Sequence, residues 1–291
     1  MSRLALGTVQ FGLPYGIANA SGQVSREEAG RILRYANSVG IDTIDTAIAY
    51  GESERVLGEI GVKPFKVITK IPALPVDILD VEGWVQTQVQ GALFRLGIPS
   101  LYGILLHRAA DLRGGMRKSL IRSLNTLKST GVVQKIGASV YAPSELDDVF
   151  EAMPADIIQA PLNVIDRRLE TSGWLRRLRD QSVEVHLRST FLQGLLLMPR
   201  LAIPAKFERW SKIWDAWSRT LTNRKVSAIS ACLDYPLSLD GVSRVVVGVD
   251  SVAHLKSLVR ESAAPQPFED FSEFIISEDE LLINPSRWGE L

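Results

Sequence analysis

Cysteine is almost missing from this 291-residue chain. Cys232 stands alone, which excludes an internal disulfide framework and a thiolate metal cluster, and fits a reducing compartment. Histidine is scarce as well. His107, His186 and His254 are scattered without the short spacing of a metal site, so metal catalysis is not expected. An excess of charge is lacking too: Lys plus Arg equals Asp plus Glu at 33 each, so the whole-chain field draws neither nucleic acid nor an anionic membrane surface. No apolar run approaches the roughly 18 residues of a membrane span, and the opening MSRLALGTVQFG has no secretory-signal pattern. These absences point to a cytoplasmic protein with a small-molecule partner.

What is present is a regular alternation. With 46% hydrophobic residues the chain can bury a large core, near the upper end of what one domain holds. Short β-branched or apolar runs begin at Leu4, Ile41, Lys66, Leu101, Val132, Asp156, Val183 and Arg244 and read as strands. Stretches of helical periodicity lie between them, from Arg26 to Val39, Glu54 to Ile60, Glu82 to Leu96, Met116 to Ser129, Ser144 to Ala152, Ser172 to Gln181, Val226 to Leu233 and Val252 to Arg260. Ser25, Ser53, Ser144 and Ser251 stand where N-caps belong. Strands joined by helical crossovers run parallel, and eight such units match a closed (β/α)8 TIM barrel, one domain over residues 1–291. Before the eighth strand an added segment carries Phe207, Trp210, Trp214 and Trp217 at helical spacing. Such a stripe packs an amphipathic helix onto the barrel or, less simply, walls a substrate site. The acidic, aromatic tail after the eighth helix is too apolar to read as plainly disordered and is expected to pack back.

In a parallel barrel, functional groups gather where strands end. Asp45, Lys70 and His107 end the second, third and fourth strand candidates, and Tyr50 follows the second. Singly, each has an ordinary explanation as a helix cap, a solvated amine, a packed ring or a structural imidazole. Jointly they suggest proton chemistry. An ammonium close to a phenol favours the phenolate and lowers its pKa, while a carboxylate keeps that amine charged when buried. With His107 hydrogen-bonding a substrate oxygen, the set donates a proton to a carbonyl as a hydride reaches its carbon.

The chain resembles the aldo-keto reductases in LALGTVQFG, DTAIAYG, KVITK and GILLHRA, and the likeness continues through KIGASVY, DIIQAPLNVIDRR, LRSTFLQGLLL and VVVGVDSVAHL. The resemblance implies a barrel that binds NADH or NADPH without a Gly-x-Gly-x-x-Gly loop. It implies Tyr50 as general acid, tuned by Lys70 and Asp45, with His107 orienting the carbonyl. It places the nicotinamide near Gly7, Thr8, Asp45, Ser139 and Gln159, the pyrophosphate along amides at Ser189, Leu192 and Gly194, and the adenosine near Gly248, Ser251 and His254.

Some positions depart from that pattern. Val140 stands where the family usually has Asn, so one carboxamide contact is not carried over. Arg188 replaces a nicotinamide-stacking tyrosine; a guanidinium can also stack, and can bind an anionic or polyhydroxyl group. Asp250 falls where NADPH-specific members place a cation for the 2′-phosphate, which tilts the expectation to NADH unless Lys256 or Arg260 compensates. The usual bottom-closing hairpin is not seen before the first strand, so something else is expected to cover that end.

The likeness is closest to a branch found in sugar pathways, which suggests a sugar or nucleotide-sugar ketone as substrate. A different reading is a dinucleotide-sensing regulatory protein acting through a protein partner, and a third is a barrel using Lys70 as a Schiff base. Keeping Asp45, Tyr50, Lys70 and His107 together favours the reductase, since a sensor needs no proton donor.

Overall fold

The computed structural model describes residues 2–263 and 276–291. Eight strands follow one another in chain order around a closed barrel: β1 (Leu4–Gly7), β2 (Thr43–Asp45), β3 (Lys66–Ile71), β4 (Leu101–Leu106), β5 (Val133–Ser139), β6 (Ile157–Pro161), β7 (Glu184–Arg188) and β8 (Val242–Gly248). Every pairing is parallel, and β1 closes on β8 with Leu4 beside Val245 and Gly7 beside Gly248. Closure leaves no edge strand to pair with another chain. The expected (β/α)8 barrel is therefore the observed one.

The crossover helices are Arg26–Ser38, Ser53–Ile60, Val81–Leu96, Arg117–Ser129, Ser144–Ala152, Trp174–Asp180 and Ala228–Ser238, with Val252–Ala263 after β8. Ser25 accepts from the Glu28 amide, and Ser251 from the His254 amide at 3.2 Å, as caps should. The other two expected caps are not caps. Ser53 is buried inside its helix start, where its hydroxyl donates to the Thr8 carbonyl at 2.9 Å and meets the Thr46 hydroxyl at 3.1 Å. Ser144 also begins its helix, and Glu145 takes the capping role by accepting from the Ala142 amide at 3.1 Å.

The aromatic insertion is a 3-10 turn, Ala205–Trp210, running into the helix Ser211–Arg224. Phe207, Trp210, Trp214 and Trp217 are all buried, and none of the four lines the central cavity. Packing is their use. The indoles find polar partners at the same time: Trp214 donates to the Phe207 carbonyl and Trp217 to the Leu196 carbonyl, each at 2.9 Å. Of the tail, residues 264–275 lie outside the described residues. The remainder packs back, with Leu282, Ile283 and Trp288 buried and the Ser277 amide donating to the Ile165 carbonyl at 3.1 Å.

Side chains alternate along each strand, so one face of β3 carries Lys66, Ile68 and Lys70 from bottom to top, and one face of β7 carries Glu184, His186 and Arg188. The middle layer is apolar at Ile68, Leu105 and Ile157 and carries the buried His186 on β7. Below it, where strands begin, a charged layer covers the barrel end. Glu184 accepts from the Tyr102 hydroxyl at 2.7 Å and pairs with Lys135 at 2.8 Å. The ammoniums of Lys66 and Lys135 lie 5.3 and 5.2 Å from the Tyr102 ring centroid, and Asp42 ties Lys66 at 3.0 Å to Arg244 at 3.1 Å. The cover expected from elsewhere in the chain is this ring of strand-start residues.

Partial burial raises the Glu184 carboxyl, but hydrogen bonds from His186, Lys135 and Tyr102 and the Lys135 charge outweigh it, so the acid lies well below the usual carboxylate range. A depressed folded pKa stabilises above the unfolded value and is lost as pH falls. Glu184→Gln should therefore cost about 1–3 kcal/mol in urea unfolding at pH 7. The difference from the natural protein should shrink as pH drops below the ~4.3 of an unfolded glutamate. Identical midpoints at pH 7 would show that the bottom layer does not rest on this charge.

Candidate active site

The upper inward layer brings Asp45 from the end of β2 and Lys70 from β3 side by side. The Lys70 ammonium donates to Asp45 Oδ1 at 2.8 Å and Oδ2 at 2.7 Å, and to the Thr46 carbonyl at 2.9 Å. Both side chains are almost wholly inaccessible, at 1% and 5%. Two such ions persist out of water only because each satisfies the other and further donors complete the shell. Gln159 on β6 is one of these, donating from Nε2 to Asp45 Oδ1 at 2.7 Å.

Tyr50 sits over this pair, with the Lys70 ammonium 5.1 Å from its ring centroid. His107, just past β4, meets the same ring edge-on with centroids 5.9 Å apart. The turn that holds Tyr50 packs against Gly12, where a Cβ would come 1.8 Å from the Tyr50 carbonyl oxygen; only glycine allows that approach. Ser53 bonds back to Thr8 and Thr46, so the start of the following helix is fastened to the ends of β1 and β2. All four proposed catalytic residues thus meet at one mouth.

Charge placement differs from the sequence expectation in one respect. Burial dominates Tyr50 and pushes the phenol above its ordinary pKa, and the nearby Lys70 charge only moderates the rise. The ammonium does act in the expected direction, but it does not prevail. For Lys70 burial opposes the charge, yet the charges of Asp45 and Tyr50 and the hydrogen bonds to them hold the amine above its usual value. Burial, then Lys70, with a further contribution from Arg188, lowers His107 to about 4, against Asp45. At neutral pH this mouth holds a neutral phenol, a neutral imidazole and an internally balanced ion pair.

A cavity of about 570 Å3 runs from this mouth across the barrel top to the start of the helix after β8. Gly7, Thr8, Asp45, Tyr50, His107, Ser139, Gln159, Arg188, Ser189, Gly194, Gly248, Asp250 and His254 all line it, as the sequence suggested. Three candidates do not. Lys70 lies beneath the wall, reaching the cavity only through Asp45 and Tyr50. Leu192 points into the core and its amide is used by the Ser189 carbonyl at 2.9 Å; the Gly194 amide is likewise taken by Phe191 at 2.9 Å. Those two amides are spent on the loop, contrary to the expected phosphate contacts. Ser251 serves as the helix cap. Gln159 commits one Nε2 hydrogen to Asp45, leaving its carbonyl oxygen and its second amide hydrogen for a ligand.

Several lining residues were not anticipated, including Gln10, Tyr15, Asn19, Tyr141, Thr190 and Gln193. The loop after β1 and the loop after β7 meet across the cavity: Gln193 Nε2 donates to the Tyr15 hydroxyl at 3.0 Å, and the Ile17 amide to the Gln193 carbonyl at 3.2 Å. The β7 loop carries Ser189, Leu192, Gln193 and Gly194 with positive φ, an accumulation of backbone strain that marks it as shaped for something other than chain economy. Among the side chains that face the cavity, Gln10 Oε1, Thr190 Oγ1 and Asp250 Oδ1 are buried without a hydrogen-bond partner among the described residues. Long shape, apolar stretches and orphaned acceptors fit an extended ligand with amide and hydroxyl donors, as a dinucleotide is. Val140 turns its side chain into the core and presents only backbone to this region.

Compared with known proteins, residues 3–275 match the Aldo/keto reductase family. The chain is 27% identical over 247 residues to an NADH-specific methylglyoxal reductase of Escherichia coli (strain K12), covering 74% of this chain and 71% of that protein. A holo-form aldo-keto reductase structure from Bacillus halodurans superposes with a TM-score of 0.75 at 20% identity, covering 94% of this chain and 90% of that one. At that identity the likeness concerns the fold.

Removing one member of the buried pair strands the other. Lys70→Met should lower unfolding stability by roughly 3–5 kcal/mol, and adding Asp45→Asn to it should restore much of the loss. Chemical denaturation of the two single variants and the double variant reads this cycle; purely additive losses would show that the pair is not coupled.

Proposed function

The chain belongs to the aldo/keto reductase family, and on that premise we propose that it reduces an aldehyde or ketone to the alcohol, with Tyr50 donating the proton. The observation that carries this reading is the single stack formed by Asp45, Lys70, Tyr50 and His107 at the cavity mouth. A bound reduced nicotinamide dinucleotide supplies the hydride. Gly7, Thr8, Ser139 and the Gln159 amide would hold its nicotinamide end, and Gln10, Gly248 and Asp250 its adenosine end.

The chain's own residues then do three things. Tyr50 keeps its proton, because burial disfavours the bare phenolate, until a carbonyl oxygen accumulating negative charge draws it away. At that moment the Lys70 ammonium, held charged by Asp45, stabilises the phenolate left behind. His107, neutral with its pKa at about 4, keeps one N–H for the carbonyl oxygen and fixes the direction from which that oxygen meets Tyr50.

NADH is the preferred form on this reading. The Asp250 carboxylate, 3.8 Å from His254, has a buried unpartnered oxygen suited to a ribose hydroxyl and hostile to a 2′-phosphate. Lys256, named above as a compensating cation, instead lies 5.6 Å over the Tyr35 ring in a separate outer cleft, and Arg260 meets Glu261 at 3.4 Å. The similarity to an NADH-specific enzyme agrees with this preference.

Tyr50→Phe should lose at least ~10²-fold in carbonyl reduction, as expected for a positioned acid, while dinucleotide binding followed by tryptophan quenching persists. The natural protein's kcat/KM should stay level from about pH 6 to 9, because His107 is already deprotonated there and the Tyr50 proton is not yet lost, and decline only above the ~10 of a free phenol. Unchanged turnover in the Phe variant would remove Tyr50 from the chemistry. In the same quenching assay NADH should bind at least ten times more tightly than NADPH, by roughly 1.4 kcal/mol or more, and Asp250→Ser should narrow the gap; equal affinities in the natural protein would defeat the Asp250 argument.

A further inference from the structure

The reacting end of the cavity is not electrically balanced. Asp45 and Lys70 cancel each other, and His107 is uncharged at neutral pH. Tyr15, Tyr50 and Tyr141 add hydroxyls and rings but no charge. What remains is Arg188, at the top of β7 beside Pro161 of β6.

Its surroundings hold the guanidinium in place without neutralising it. Nη2 donates to the Val140 carbonyl at 2.9 Å, Nη1 to the Ser189 hydroxyl at 3.2 Å, and the plane lies 4.1 Å from the Tyr141 ring centroid. All of these partners are uncharged. Among the described residues no carboxylate lies within ion-pair distance of Arg188. Asp166 is taken by Arg168 at 2.8 Å, and Glu145 by the amides that cap its helix. Asp250, 3.8 Å from His254, belongs to the far end of the cavity. Arg188 is close enough to the reacting mouth for its charge to act on Tyr15, Tyr50 and His107 alike.

A part-buried guanidinium clamped by neutral groups, with other N–H donors left over, is a ready fork for two oxygens of an anion. We propose that Arg188 selects the substrate, so that the protein reduces carbonyl compounds bearing an anionic group, a carboxylate or a phosphate, on the chain that carries the carbonyl. This rests on the reductase reading and deepens it. The neutral clamp matters: a carboxylate partner would cancel the charge, whereas the Val140 carbonyl, the Ser189 hydroxyl and the Tyr141 ring orient the fork and leave its charge for the ligand.

Two matched pairs of probes test the proposal: 4-carboxybenzaldehyde against methyl 4-formylbenzoate, and D-glyceraldehyde 3-phosphate against D-glyceraldehyde. For the natural protein kcat/KM should favour the anionic member of at least one pair by tenfold or more, and the pair favoured tells carboxylate from phosphate. In Arg188→Gln that ratio should fall to near one. A ratio near one in the natural protein for both pairs, or a ratio unchanged in the variant, overturns the proposal. A raised NADH dissociation constant in the variant with an unchanged ratio also overturns it, by assigning Arg188 to the dinucleotide. Calorimetric titration with 4-(hydroxymethyl)benzoate and its methyl ester, in the presence of the dinucleotide, separates this from failure of the reductase reading. Preferential binding of the acid, lost in Arg188→Gln, supports the anion site even if no aldehyde turns over, and equal binding of acid and ester refutes it.

Discussion

An ammonium and a carboxylate withdrawn from water at the top of the barrel constrain everything around them. Neither Asp45 nor Lys70 could remain ionised alone at that depth, and together they do so only with donors and acceptors on every side. The ends of β2, β3 and β6 are thereby locked to one another at the place where Tyr50 must stand. Thr8 strengthens the lock from β1, since both its amide and its hydroxyl reach the Asp45 carbonyl at 3.0 Å. The feature that places the phenol is thus also the feature that rigidifies the mouth, and a chemical site gains its preorganisation from a structural necessity.

The barrel interior is ordered by charge as well as by packing. A layer with Ile68, Leu105 and Ile157, and with the buried His186 as its polar member, lies between two more polar ones. Below it, Tyr102, Lys66, Lys135, Glu184, Asp42 and Arg244 are tied together by ion pairs and a hydrogen bond at the closed end. Above it, the charges are sorted along a cavity, with the Arg188 cation at the reacting end and Asp250, beside His254, at the opposite end. Charge paired with charge covers the closed end, whereas a cation held by neutral groups is left for a ligand. That contrast distinguishes Glu184 from Arg188 although the two lie on the same strand and the same face.

The competing views of this chain as a sensor or as a Schiff-base enzyme meet the same geometry. A Schiff base needs an accessible, neutral amine, and Lys70 is buried, charged and saturated with acceptors. A sensor needs the long cavity but has no use for a phenol held over an ion pair with an imidazole at its edge.

Much of this was legible in the linear chain. Strand and helix alternation, with strand runs short enough for a barrel, specified the (β/α)8 architecture, because parallel strands require crossovers and eight of them close. Period-two alternation and strand ends were enough to bring Asp45, Lys70 and His107 to one face. Other features depend on neighbours far away in sequence. Ser53 looks like a cap in its own helix, but Thr8 and Thr46 claim its hydroxyl; Leu192 and Gly194 look like phosphate donors until the loop's own carbonyls use their amides. The Tyr50 pKa is set by how much water the assembled barrel removes, and nothing local to DTAIAYG reports it. Local pattern determines which residues share an element and a face. Only the closed structure decides which hydrogen bonds are already taken, which charges are cancelled, and so which groups remain for a ligand.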